Sequence, residues 1–382
     1  MVATIRGRAA WGGGREHPGR REVATYEEWR CRRRWRGRAR GSGPPENPGE
    51  PVYGALDLGT NNCRLLVATP SRYGFDVVDS FSRIVRLGEG LQASGELSEA
   101  AIERTISALK VCAGKLERTG TNRLRSVATE ACRRARNCGT FVERVAEETG
   151  VELEIIDTAE EARLAAGGCA PLLDQRRARA LMFDIGGGST EVMWVAVPAR
   201  GQPQVIDCIS VPLGVVNMAE RWGGHEVSAA AYEAMVADVR SGLEPFEARH
   251  HIADEARAGR VQMLGSSGTV TTVVGIRLDL PKYQRRAVDG QFLERTDIDR
   301  ISEQLRTMTY AERAAHPCIG ADRADLVVVG CAILAAICRL WPADRLRVGD
   351  RGVREGILLS LMAADRGAPQ VRSTSAPGGY PA

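Results

Sequence analysis

Two short strings in this sequence set a carboxylate at the mouth of a glycine turn: Asp57-Leu-Gly-Thr-Asn-Asn and Asp184-Ile-Gly-Gly-Gly-Ser-Thr-Glu191. A third, Gly265-Ser-Ser-Gly-Thr269, has the glycines and hydroxyls without the acid. Glycine lets a backbone approach a ligand closely, and successive amides in such a turn can converge on an anion. Gly59, Thr60, Asn61 and Asn62 are therefore candidates to hold phosphate. So are Gly186, Gly187, Gly188, Ser189 and Thr190, and Gly265, Ser266, Ser267, Gly268 and Thr269. One such loop is equally consistent with a hairpin turn, but three, two of them headed by Asp, point to phosphate. A carboxylate beside a bound phosphate repels it unless a cation stands between them. Mg²⁺ suits Asp57 and Asp184, because it takes one or two carboxylates together with waters and phosphate oxygens; Mn²⁺ is the alternative. The competing reading of either Asp is a turn residue bonded to its own backbone.

The elements that must position these groups follow from the pattern around them. Tyr53 to Gly59 reads as a strand entering a turn, and Cys63 to Thr69 resumes strand character. Leu181 to Val195 repeats that outline, with Asp184 matching Asp57 and Gly186 matching Gly59, 127 residues later. A repeat on that scale predicts two related domains facing one another. Between the copies, Ile102, Ile106, Leu109, Cys112 and Leu116 recur at helical spacing over 98–119, and Gly120 ends the run. Strands are expected over 75–81, 124–128 and 153–156, and helices over 141–149 and from Thr158 through Leu164. Strand and helix alternate, which predicts an α/β protein. Thr158 and Glu161 fit a capping box, which would make Glu161 purely structural; Glu191 reads equally as an exposed strand residue.

Composition sets the limits. The chain has 382 residues, 43% hydrophobic and 26% charged, ample for two domains. Net charge is +4, but residues 1–50 hold 12 Arg, no Lys and 6 acidic residues, so the basic excess belongs to that segment. It is expected to be a disordered tail, as are residues 366–382. Domain I is expected over 51–173 and domain II over 174–352, with a helix near 353–363 packing back on domain I. No apolar run approaches the roughly 20 residues that span a bilayer; 326–338 reads as one buried helix. The ten cysteines form no Cys-x-x-Cys pair and have no His at zinc spacing, which fits buried thiols in a reducing cytoplasm.

With Ala128-Thr-Glu-Ala-Cys-Arg133, Glu160-Glu-Ala-Arg163, Arg86-Leu-Gly-Glu-Gly and Gly349-Asp-Arg-Gly-Val-Arg-Glu-Gly356 added in order, the sequence resembles the exopolyphosphatase / guanosine pentaphosphate phosphohydrolase family from about 53 to 362. The resemblance implies an actin-like, ribonuclease-H-like two-domain fold of the acetate kinase, sugar kinase and heat-shock chaperone type, with the active site in the cleft between domains. It implies Mg²⁺-dependent removal of a terminal phosphate from polyphosphate or pppGpp, in the cytoplasm, with a homodimer left open. By that resemblance Glu161 is a catalytic carboxylate, Glu191 closes the glycine motif and Arg133 contacts the polyanion. Two departures are expected from the sequence: Asp157-Thr-Ala stands where the family has Ser-Gly ahead of the two glutamates, and no C-terminal helical domain like that of longer members is expected after Gly356.

Elementary chemistry agrees. Water attacking a terminal phosphoryl group must be oriented and must lose a proton. Glu161 is expected as general base, Glu191 as its partner toward water or metal, Asp184 as the Mg²⁺ ligand and Asp57 in support. Two rivals are an ATP-dependent kinase or ATPase of the same fold, with nucleotide against Gly265 to Thr269, and an idle sensor of polyphosphate or alarmone. Four carboxylates facing a polyanion argue against the sensor. Nucleic-acid binding is not expected, since no recognised module accompanies the Arg-rich segment.

Overall fold

Apolar runs at 53–58, 180–185 and 190–195, largely buried on both faces, form the centre of two mixed sheets in the computed structural model, which describes residues 51–72 and 74–367. The first sheet runs in the order β3-β2-β1-β4-β5: β1 (Tyr53–Leu58), β2 (Asn62–Ser71), β3 (Gly74–Ile84), β4 (Arg123–Ala128) and β5 (Glu154–Ile155). The second runs β10-β11-β9-β6-β7-β8: β6 (Arg179–Ile185), β7 (Thr190–Ala196), β8 (Gln204–Val211), β9 (Val261–Ser266), β10 (Phe292–Glu294) and β11 (Arg345–Gly349). In each, the repeated motif is an antiparallel hairpin continued by a parallel neighbour, β1 by β4 and β6 by β9. Eight described helices have ten residues or more: α1 (Glu99–Arg118), α2 (Cys138–Thr149), α3 (Thr158–Cys169), α4 (Ala229–His250), α5 (Gly268–Arg277), α6 (Arg295–Thr307), α7 (Val327–Leu340) and α8 (Val353–Asp365). This is a two-sheet α/β architecture, as the alternation of strands and helices predicts.

The core has three parts. One lies under the first sheet against α1 and α2, through Leu56, Leu65, Ile106, Leu109, Phe141 and Val145. Another joins the second sheet to α4–α7, and residues 327–338 of α7 are buried throughout. The third lies between the sheets, where Ala55 and Leu66 share a cluster with Ala162 and Leu164 of α3, Ile357 and Leu358 of α8, and Met182 and Met193 of the second sheet. Each fully buried Leu or Ile contributes roughly 1.5–3 kcal/mol. Helices α3 and α8 cross backbone to backbone: a Cβ on Gly168 would lie 2.1 Å from Gly352 O, and one on Gly356 would lie 2.0 Å from Leu164 O. Tyr53 Oη donates to Asp365 Oδ2 at 2.8 Å, which ties the end of α8 to the first strand.

Residues 1–50 and most of 366–382, on which the expected tails fall, lie outside the described residues. The nine described cysteines are free and eight of them are buried. No described helix is long and apolar enough to cross a membrane.

Candidate active site

Two hairpins of the same design face each other. In the first, Asp57 pairs with Arg64 across β1 and β2, and Gly59 N donates to Asn62 O at 2.9 Å. In the second, Asp184 pairs with Glu191 across β6 and β7, and Gly186 N donates to Ser189 O, also at 2.9 Å. The two turns touch. A Cβ on Gly187 would meet Asn61 N at 3.0 Å and Thr60 Cβ at 3.1 Å, so a side chain there would push the turns apart by a few tenths of an ångström. The structure thus brings Gly59–Asn62 and Gly186–Ser189 together. Thr190 is buried, its hydroxyl donating to Leu213 O at 2.8 Å.

Glu161 reaches the same place from α3. The helix is capped by Asp157, whose carboxylate accepts from Glu160 N at 2.8 Å. Capping therefore falls one residue earlier than Thr158, and the box that would have made Glu161 structural does not form. Glu160 turns to Arg163 at 2.6 Å and Arg125 at 2.7 Å. Glu161, one position on, accepts from Arg133 Nη1 at 2.7 Å. Arg133 stands on the short helix Glu130–Arg134, where Glu130 also takes its Nη2 at 3.1 Å, so two carboxylates already face this cation. Glu191 is 4% exposed, and its Oε1 accepts from Ser189 Oγ at 2.5 Å and Ser210 Oγ at 2.8 Å.

The four carboxylates feel one another. Burial pushes Glu161 up to about 8, Glu191's charge adding and Arg133 opposing. Burial likewise raises Glu191 to about 7 against the Ser189 hydrogen bond, with Asp184's charge adding. Asp184 is raised to about 7 by burial, with Arg64 opposing and Glu161 and Asp57 adding. Asp57 is raised by burial against Arg64 and Arg354. Such a set of raised carboxylates in one place is a signature of functional sites.

Sequence reasoning passed over three arginines. Arg64, Arg323 and Arg354 form no ion pair within 4 Å among the described residues. Burial lowers both Arg323 and Arg354, and Arg64's charge lowers them further. Cations crowded together with no carboxylate at ion-pair distance suit an anionic ligand. The signal for Arg64 was present, since superposing the repeats on Asp57 and Asp184 sets Arg64 over Glu191.

The third loop is mostly used elsewhere. Gly265 lies under Phe183, where a Cβ would come within 2.5 Å of the ring. Ser266 is buried at the end of β9. Ser267 caps its own helix, accepting from Thr269 N and Val270 N at 3.1 and 3.2 Å. Thr269 is packed beneath Gly330; only Gly268 faces open space. The open ground of this loop is at Gly268, the first residue of α5.

As for a cation, Asn61 Oδ1 is a buried acceptor without a hydrogen-bond partner, beside the Asp57 turn. Among the described residues no three His, Cys, Asp or Glu side chains converge as a metal cage. Hard oxygen donors with room for waters and phosphate oxygens fit Mg²⁺, which is bound in that way.

Comparison with known proteins gives a consistent picture. The family model described as the Ppx/GppA phosphatase family matches residues 66–365. The chain is 32% identical to exopolyphosphatase 2 of Mycobacterium tuberculosis over 322 residues, 80% of this chain and 97% of that one. It is 26% identical to guanosine-5'-triphosphate,3'-diphosphate pyrophosphatase of Photobacterium profundum over 84% of this chain and 61% of that one. Among solved structures, an exopolyphosphatase-like protein superposes with a TM-score of 0.73 at 28% identity, covering 82% of this chain and 98% of that one. The Aquifex aeolicus Ppx/GppA family member gives 0.67 at 26%, covering 82% and 98%.

Proposed function

Because the chain belongs to the Ppx/GppA phosphatase family, we propose that it hydrolyses the terminal phosphoanhydride bond of polyphosphate or pppGpp in the cleft between residues 51–173 and 174–352. The observation that carries this reading is Glu161, pushed up to about 8 and fixed by Arg133 next to Glu191. A base whose pKa lies near neutrality accepts a proton most usefully at working pH.

In the proposed reaction the terminal phosphoryl group lies against the paired turns at 59–62 and 186–189, where backbone amides take its oxygens. Arg64, Arg323 and Arg354 meet the charge of the remaining chain. Water attacks the terminal phosphorus in line, the bridging P–O bond breaks, and the water proton passes to Glu161. Glu191, fixed by two serine hydroxyls, orients that water through its free oxygen. Asp184 and Asp57, with Asn61 Oδ1, would hold Mg²⁺, or Mn²⁺ in its place. The ion would supply charge neutralisation at the transferring oxygens.

The test is phosphate release from polyphosphate and from pppGpp, with and without divalent metal. Glu161→Gln should lower kcat by on the order of 10²–10⁴ while the helix content stays that of the unaltered protein, since Asp157 and not Glu161 caps α3. Undiminished turnover in that variant would sink the assignment. Comparing the two substrates also decides which is preferred.

A further inference from the structure

One set of contacts joins the two glycine turns through the protein itself. Residues 85–90 leave β3 and run along the first turn: Val85 N and Arg86 N donate to Asn61 O at 2.9 and 3.1 Å, and Gly88 N donates to Thr60 O at 2.9 Å. Arg104 of α1 braces this strap, donating to Val85 O at 3.0 Å and pairing with Glu89 at 2.7 Å. On the opposite side the short helix Val215–Trp222 hangs from the second turn. Val215 N and Val216 N donate to Gly186 O and Gly187 O at 3.0 and 2.8 Å, and Asn217 Nδ2 donates to Gly188 O at 2.8 Å.

Strap and helix then meet. Gly90 N donates to Glu220 Oε1 at 2.8 Å, and Arg86 Nη2 reaches Asp325 Oδ1 at 3.1 Å and Asp322 O at 3.3 Å. Asp325 is itself fixed, because Gly224 packs on its carbonyl so closely that a Cβ there would lie 1.9 Å from Asp325 O. Arg86 holds φ at +47°, a region side-chain-bearing residues rarely adopt. That backbone aims its guanidinium across to the second half. A cavity of about 200 Å³ beside the contact, lined by Arg86, Glu89, Glu220, His225 and Asp325, gives the strap room to move when released.

We propose that Arg86 is a positioning residue: paired with Asp325, it latches the strap to the second half and so keeps the turns at 59–62 and 186–189 set against each other around one phosphoryl group. The catalytic consequence rests on the reading under Proposed function, whereas the mechanical one does not. Both turns must converge on the same phosphorus for their amides to act together, so loosening the latch lowers kcat more than it raises KM.

The test uses the full chain with Arg86→Ala, Asp325→Ala and the double variant. Each single variant should lose about tenfold in kcat on short polyphosphate, with the double no worse than either, as for partners in one contact. KM should stay within about twofold. Hydrogen exchange at the amides of Gly88, Gly90 and Val216 should quicken about tenfold in each single variant, measured without substrate. Losses that multiply in the double variant, or unchanged exchange, overturn the latch. If the unaltered protein releases no phosphate from either substrate, the functional reading fails and exchange alone decides the latch. Should Arg86→Ala unfold, Asp325→Asn, which keeps the side chain's shape, carries the same two readouts.

Discussion

The β1–β2 and β6–β7 hairpins are the same object with opposite endowments. Register and turn bond coincide, yet the residue facing the leading aspartate is Arg64 in one and Glu191 in the other. Arg64 sits among Asp57, Asp184 and two more arginines, without an ion pair of its own among the described residues. Glu191 is buried and oriented by Ser189 and Ser210. A duplicated scaffold sets where a side chain points, and a single position then decides which charge arrives there. On the proposed reaction the first hairpin receives the anion and the second prepares the attacking water.

That division of labour can be broken. Glu191→Gln keeps the hairpin but removes the charge, and should lower kcat by about 10²–10³ with KM little changed. Arg64→Ala should act the other way, raising KM about tenfold or more for loss of a charge-assisted contact, with the smaller effect on kcat. Steady-state kinetics on short polyphosphate decide it: losses in the same parameter for both variants would erase the distinction between the hairpins.

A smaller effect sharpens the comparison without substrate. Glu161, Glu191 and Asp184 have folded pKa values raised to about 8, 7 and 7, above the usual 4 or so of an unfolded chain. Between those limits the folded state binds more protons than the unfolded one, so their contribution is fully present below about pH 4 and is lost as pH rises to about 8. The melting temperature of metal-free protein should therefore fall by a few degrees from pH 5 to 8. Glu161→Gln should flatten that slope, and Arg64→Ala should steepen it by removing the cation that opposes Asp57 and Asp184. A slope indifferent to both would mean the carboxylates do not share one field.

The two Asp-led turns were legible because the motif repeats, and α1 because its apolar residues keep helical spacing up to Gly120. Glu161 could be found only through family resemblance, since Asp157 and Thr158 are both competent caps and geometry alone chooses between them. Helix α4 was overlooked, although Tyr232, Met235, Val236, Val239, Leu243 and Phe246 carry its apolar stripe. An internal Pro245 and the lack of a sharply polar opposite face blur that pattern. The Gly265 loop was legible as a glycine turn, but the reason for its first glycine was not. Its glycine makes room for Phe183, a partner 82 positions away in sequence, and no local pattern records such a neighbour.

The packing of α8 has a consequence for how the chain is made. The cluster between the sheets holds Tyr53 and Ala55 at one end of the described sequence and Leu358 and Met362 at the other. Asp365 closes it on Tyr53 and on Arg123. During synthesis the first sheet emerges early but cannot bury this face until α8 has followed it out of the ribosome. The half of the protein translated first is thus the half completed last, and its exposed apolar face is the surface a growing chain must protect in the meantime.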